Sequence, residues 1–184
     1  MQTIASIGNT VDALNLGLLI LRVMVGVTMI AHGYNHIWGG GKINGTAGWF
    51  GSMGLKPGIV HAWLASITEL GAGALLILGL LTPLGAAGVV GTMVVAFLIN
   101  HRGNGFFIFR PGEGWEYVVN LIAAGLALGA IGAGEWSLDH ALDITFDGFT
   151  GLLIAAIGGI GGALLLLAAF WRPEKKSETK AEAA

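Results

Sequence analysis

The sequence predicts an all-α, polytopic transmembrane helical bundle, and three observations carry that prediction. The 184 residues are 54% hydrophobic and only 11% charged, with a mean hydropathy of +0.76, which is too apolar for a soluble domain. The apolar residues gather in five runs near the roughly 20 residues that a spanning helix needs. The 32 glycines carry no collagen period and fall largely inside those runs, where small residues let helices approach closely.

Span one is expected at 14–37, span two at 58–81, span three at 84–100, span four at 115–133 and span five at 149–171. Only Thr82 and Pro83 separate spans two and three, and proline cannot continue a helix interior. Leu81-Thr82-Pro83 therefore reads as a tight hairpin. Met1 to Thr10 has no basic stretch and no A-x-A cleavage pattern follows the first run, so span one is expected to stay in the protein. The segments Gly39 to Gly41 and Gly103 to Gly105 read as turns. Residues 173–184 are rich in lysine, glutamate and alanine and read as a charged, frayed cytoplasmic tail.

Five spans put Lys42, Lys56, Arg102, Arg110, Arg172, Lys175, Lys176 and Lys180 on one side and Asp12, Glu135, Asp139, Asp143 and Asp147 on the other. The positive-inside rule then places the N-terminus outside and the C-terminus in the cytoplasm. The same topology collects His32, His36, His61 and His101 at the cytoplasmic face, with Glu113, Glu116, Asn35, Asn100 and Asn104 nearby. At about 1.5 Å per residue, Glu69 lies roughly 13 Å from that face, His32 roughly 7 Å and Arg22 roughly 20 Å.

Arg22 and Glu69 are charges inside lipid-soluble runs, and such residues face a partner, a bundle interior or a wet cavity. The two are expected to meet if spans one and two are neighbours, either as a pair that fixes helix register or as part of a functional site. His32 and His36 stand at i, i+4 on one helix face, as a metal site requires, although hydrogen-bonded packing is the commoner use and no metal is assigned. His61 and His101 are expected to be solvated at the interface, and His140 to lie on a loop surface. The six tryptophans mostly flank spans, as an aromatic belt does.

Several functions are excluded or unsupported. There is no cysteine, so dithiol chemistry and Cys-ligated metal are ruled out. No P-loop and no strand–Gly-rich turn–helix unit occurs, and nothing suggests nucleic-acid binding. No inverted repeat supports a transporter, despite Arg22 in the core.

Leu21-Arg22 with His32-Gly33, Glu69-Leu-Gly-Ala-Gly followed by Leu78-Gly-Leu-Leu-Thr-Pro, Asn104-Gly-Phe-Phe, and Glu116-Tyr117 leading to Trp136-Ser-Leu-Asp together resemble the DoxX family of bacterial membrane proteins. The resemblance covers about residues 14–140. It implies a four-helix membrane core over 1–148, to which 149–172 adds a fifth transmembrane helix, in the bacterial cell (inner) membrane. It also implies a link to quinone-dependent sulfur oxidation and redox defence, with Arg22, His32, Glu69 and Glu116 on the positions of the family's polar residues.

Two functional expectations follow. In one, the cytoplasmic rim binds a quinone headgroup, with His36 and His101 as candidate contacts and Arg22, His32, Glu69 and Glu116 forming an intramembrane network that is structural or transfers protons. In the other, the chain is a non-catalytic accessory or assembly subunit of a larger membrane complex. Span five bears on the second: Gly151, Ala155, Gly159 and Ala163 recur every four residues, a smooth face that docks on its own bundle, on a membrane-protein partner or on a second copy.

Overall fold

The computed structural model describes residues 4–144 and 146–173; the expected charged tail lies almost wholly outside them. Among the described residues there is no strand, and about three quarters of the chain is helical. Helix α1 is Ile4–Trp38, α2 Lys42–Ser52, α3 Gly58–Leu78, α4 Thr82–Ala96, α5 Glu116–Ile131, α6 Leu138–Ala141, α7 Gly148–Ala156 and α8 Gly162–Phe170. A π-helical turn, Phe97–His101, extends α4, and a second, Ile157–Gly161, joins α7 to α8.

Four helical stretches are long and apolar enough to cross a membrane: Gly8–Trp38, Gly58–Leu78, Thr82–His101 and Gly148–Phe170. Helix α5 is apolar and has 16 residues, about 24 Å of rise. Contacts define two rims. At one, Asn15 meets Glu135, and Asp139 meets Leu81 and Thr82. At the other, Lys56 N–H donates to Phe170 O, Arg172 N–H to Gly54 O, and His101 reaches Glu113. The chain therefore passes between the rims five times. Lys42, Lys56, Arg102, Arg110 and Arg172 belong to the second, basic rim, and the acids of 135–147 to the first.

The hairpin between α3 and α4 forms where proline predicted it. Gly79 takes the left-handed conformation that ends α3 (φ 61°), its N–H reaching back to the last-turn carbonyls, and Pro83 sits in the first turn of α4. Leu81 is also left-handed (φ 46°), at a steric cost of about 1–2 kcal/mol for a non-glycine residue. The Asp139 carboxylate holds it there, accepting from Leu81 N–H at 2.6 Å and Thr82 N–H at 2.9 Å.

Helices α1 and α3 form the most extensive pair, and glycine permits it. A Cβ on Gly73 would stand 2.5 Å from Gly26 O and 2.7 Å from Ile30 Cγ1. Gly73→Ala is therefore expected to cost about 2 kcal/mol by forcing the helices apart. Gly71→Ala, two residues away with nothing within 4 Å of its Cβ, should leave stability unchanged or slightly raised. Comparing the two in denaturant titrations of the reconstituted protein separates this packing from general helix propensity.

Span five uses its smooth face within the chain. Gly151, Ala155, Gly159 and Ala163 are all buried, against α4 and α5, with Ala155 beside Gly129 and Gly159 beside Val90. Of the surfaces expected to cover that face, the chain's own bundle is the one that packs on it here. Helix α2 has no counterpart in the expected spans. Phe50 is its buried anchor, and Thr46 Oγ1 donates to His36 O at 2.9 Å, which sets α2 along the basic rim beneath the end of α1.

Candidate functional site at the basic rim

Asn15, Arg22, Met29 and His36 recur every seven residues along α1 and turn toward the bundle. On α3, Ala62, Glu69 and Leu76 do the same and are buried. This antiparallel register decides which charges meet. His36 Nδ1 lies 3.0 Å from Glu69 Oε2, at ion-pair distance, and neither atom has a hydrogen-bond partner. Arg22 stands fourteen residues from His36 along α1, about 21 Å of rise, so it does not reach Glu69.

The expected Arg22–Glu69 pair is replaced by two separate clusters. At the acidic end, Arg22 is 2% exposed. It donates Nη1 to Leu76 O at 3.1 Å and Ile77 O at 2.6 Å, and Nη2 to Trp136 O. Leu76 and Ile77 lie in the last turn of α3, where carbonyls lack helical partners and the helix dipole is negative. Asp139, buried and electrostatically coupled to Arg22, joins this cluster. So do Asn15 and Glu135, which exchange two hydrogen bonds of 2.9 Å. The cluster fastens the segment after α5 to the α3–α4 hairpin, a structural task.

An apolar layer of Val25, Met29, Ala72, Leu76, Val89, Met93, Val118 and Leu128 lies between the two ends. No ionisable residue occurs in 23–31, 70–78 or 82–96. A continuous polar track from Arg22 to the rim, as the sequence suggested, is therefore interrupted.

The basic-rim cluster surrounds a cavity of about 100 Å³ lined by His32, His36, Trp49, Phe50, Glu69, Asn100, His101 and Tyr117, among others. That is room for several waters or a small ring. The π-helical turn at 97–101 carries Asn100 and His101 to its wall; such turns recur at functional sites. His101 Nδ1 is 2.9 Å from Glu113 O. A carbonyl only accepts, so Nδ1 bears the proton, and Nε2 of the neutral ring accepts from Tyr117 Oη (3.2 Å) and Asn100 Nδ2 (3.3 Å). The His32 ring lies parallel to Tyr117 with centroids 6.4 Å apart.

His101 and His61 are each 3% exposed, contrary to the expectation of solvated interfacial rings, because the π-turn and the C-terminal strap 170–173 fold over them. His61 packs edge-on against Phe170. Glu116 departs from its expected place too. Its carboxylate accepts from Ile108 N–H at 3.2 Å and does not line the cavity, so it holds the 104–115 loop. Asp139, Asn15 and Tyr117 are the polar residues that sequence reasoning did not single out; for Asn15 the seven-residue step to Arg22 was the available signal. No group of three or more His, Cys, Asp or Glu among the described residues gathers as a metal site would.

The fold and this site define a polytopic α-helical membrane protein with a small, histidine-rich polar cavity buried beside one rim. The DoxX family model matches residues 17–102, from α1 to the π-turn after α4. That match covers the first three spans and stops short of α5, whereas the sequence motifs extended the likeness to residue 140. No curated protein and no solved structure matches the chain.

Proposed function

We propose that the basic-rim cavity binds the ring of a quinone and that His36 and Glu69 exchange protons with it. One observation carries the reading: two titratable side chains stand 3.0 Å apart, neither facing atom with a hydrogen-bond partner, on the wall of a cavity within a membrane bundle. Histidine and carboxylate are the side chains most used for proton transfer. Asn100, whose amide has a second N–H beside the one given to His101, stands on the same wall as a donor to a carbonyl oxygen. Reducing a quinone to a quinol takes two electrons and two protons. The residues here handle only the protons, so the reading requires a separate redox protein as electron donor, a membrane or membrane-associated partner.

The excess of lysine and arginine at the cavity's rim supports a cytoplasmic position for it, with the N-terminus outside, in a bacterial inner membrane. Residues 1–148 are read as the DoxX-like unit and 149–172 as an addition that packs on it. A second reading, an accessory subunit of a larger membrane complex, is favoured by one feature: Phe106, Phe107, Ile108 and Phe109 are exposed together in the loop at this rim, Phe109 by 79%, and offer a partner an apolar hold.

The test is direct, because Trp49 lines the cavity. Titrating the protein in lipid nanodiscs with a ubiquinone should give saturable quenching that is lost in Trp49→Phe. Quenching that is linear with lipid-phase quinone and identical in both proteins would remove the quinone reading.

A further inference from the structure

Beside this cavity runs a much larger groove of about 520 Å³, formed by α3, α4 and the last span and lined mostly by apolar side chains, with His61, Thr68 and Thr92 its polar ones, in the size range of ligand pockets. The groove and the cavity share four wall residues, Phe50, Ala65, Thr92 and Val95, and three of these are small. Along the groove, Leu64, Ile67, Gly71, Leu84 and Gly162 offer hydrocarbon or nothing to an occupant, and this surface belongs to helices long enough to cross the bilayer.

We infer that groove and cavity form one amphiphile site: the cavity takes the polar ring, and the groove takes the long hydrocarbon tail attached to it. The inference rests on the headgroup reading of the cavity and adds the tail as a determinant of selectivity. A polar cavity alone would accept any small ring of suitable size. A cavity that shares small wall residues with an apolar channel discriminates by tail. Bilayer lipid competes for the groove and is equally apolar, so the tail gains from packing against α3, α4 and the last span rather than from leaving water.

Gly71 and Gly162 make the test clean. Both line the groove, and a Cβ on either meets nothing within 4 Å, so Gly71→Leu and Gly162→Leu fill the channel from two different helices without touching the cavity. Binding is read from the Trp49-specific quenching in nanodiscs, with concentrations taken in the lipid phase, for decylubiquinone and for a ubiquinone with one isoprene unit. In the wild type the long-tailed quinone should bind more tightly. Each variant should weaken it on the order of fivefold and leave the short-tailed one unchanged.

Equal binding of the two quinones by the wild type, or long-tailed binding unaffected in both variants, would overturn the tail assignment while the cavity reading stands. Absence of Trp49-specific quenching by either quinone would overturn both.

Discussion

Replacing Arg22 with leucine is expected to destabilise the protein by about 3 kcal/mol, because three main-chain carbonyls then lose their charged donor where no water replaces it. Two of those carbonyls end α3 and the third belongs to Trp136, so the loss loosens the α3–α4 hairpin and the segment after α5 together. The buried Asp139 also loses its nearby positive charge. Arg22→Lys should fall between, since an ammonium keeps the charge without the planar fork that reaches carbonyls on two elements. The informative variant combines Arg22→Leu with Glu69→Gln. Each residue has its own partners, Arg22 at Leu76, Ile77 and Trp136 and Glu69 at His36, so the two losses should add, with a coupling below about 0.5 kcal/mol. Unfolding in mixed micelles, followed through a denaturing-detergent titration, measures all four corners of the cycle. Restored stability in the double variant would mean that the two charges pair after all.

Glu69→Gln is expected to separate function from folding. Glutamine retains a carbonyl oxygen for His36, so stability should fall by no more than about 1 kcal/mol. The carboxylate that accepts a proton is gone, and Trp49-specific quinone binding should weaken on the order of tenfold. Glu69→Ala should add a stability loss of about 2 kcal/mol, because it leaves His36 Nδ1 buried without a partner. His36→Gln should match Glu69→Gln in binding. If Glu69→Gln binds quinone as the wild type does, the pair serves only to hold α1 against α3.

The spans were legible because lipid imposes a length and a composition that any segment crossing it must meet. The Leu81-Thr82-Pro83 turn was legible because proline lacks the donor a helix interior needs. The smooth stripe Gly151, Ala155, Gly159, Ala163 was visible as a face, but a periodic pattern does not say which surface covers it, and the answer is the protein's own α4 and α5. Helix α2 went unread because Lys42–Ser52 is short and of mixed polarity, and its order comes from Phe50 and from Thr46 bonding to the end of α1. Glu116 was placed in the network by its nearness in sequence to the rim, yet a loop amide 3.2 Å away claims its carboxylate.

Arg22 and Glu69 mark the boundary between the two kinds of information. Their burial followed from sequence alone, because a charge within an apolar run must find an interior partner or pull its helix out of the membrane. Which partner each finds was decided by the register of α1 against α3, set where Gly26 and Gly73 bring the two backbones together. That contact aligns His36 with Glu69 and carries Arg22 to the carbonyl end of α3. The sequence by itself thus determined a five-pass membrane bundle with buried charges and a histidine-rich rim. Only the tertiary structure divided those charges into a structural clamp at one end and a histidine-lined cavity at the other, because register is a property of two helices in contact and is written in neither one alone.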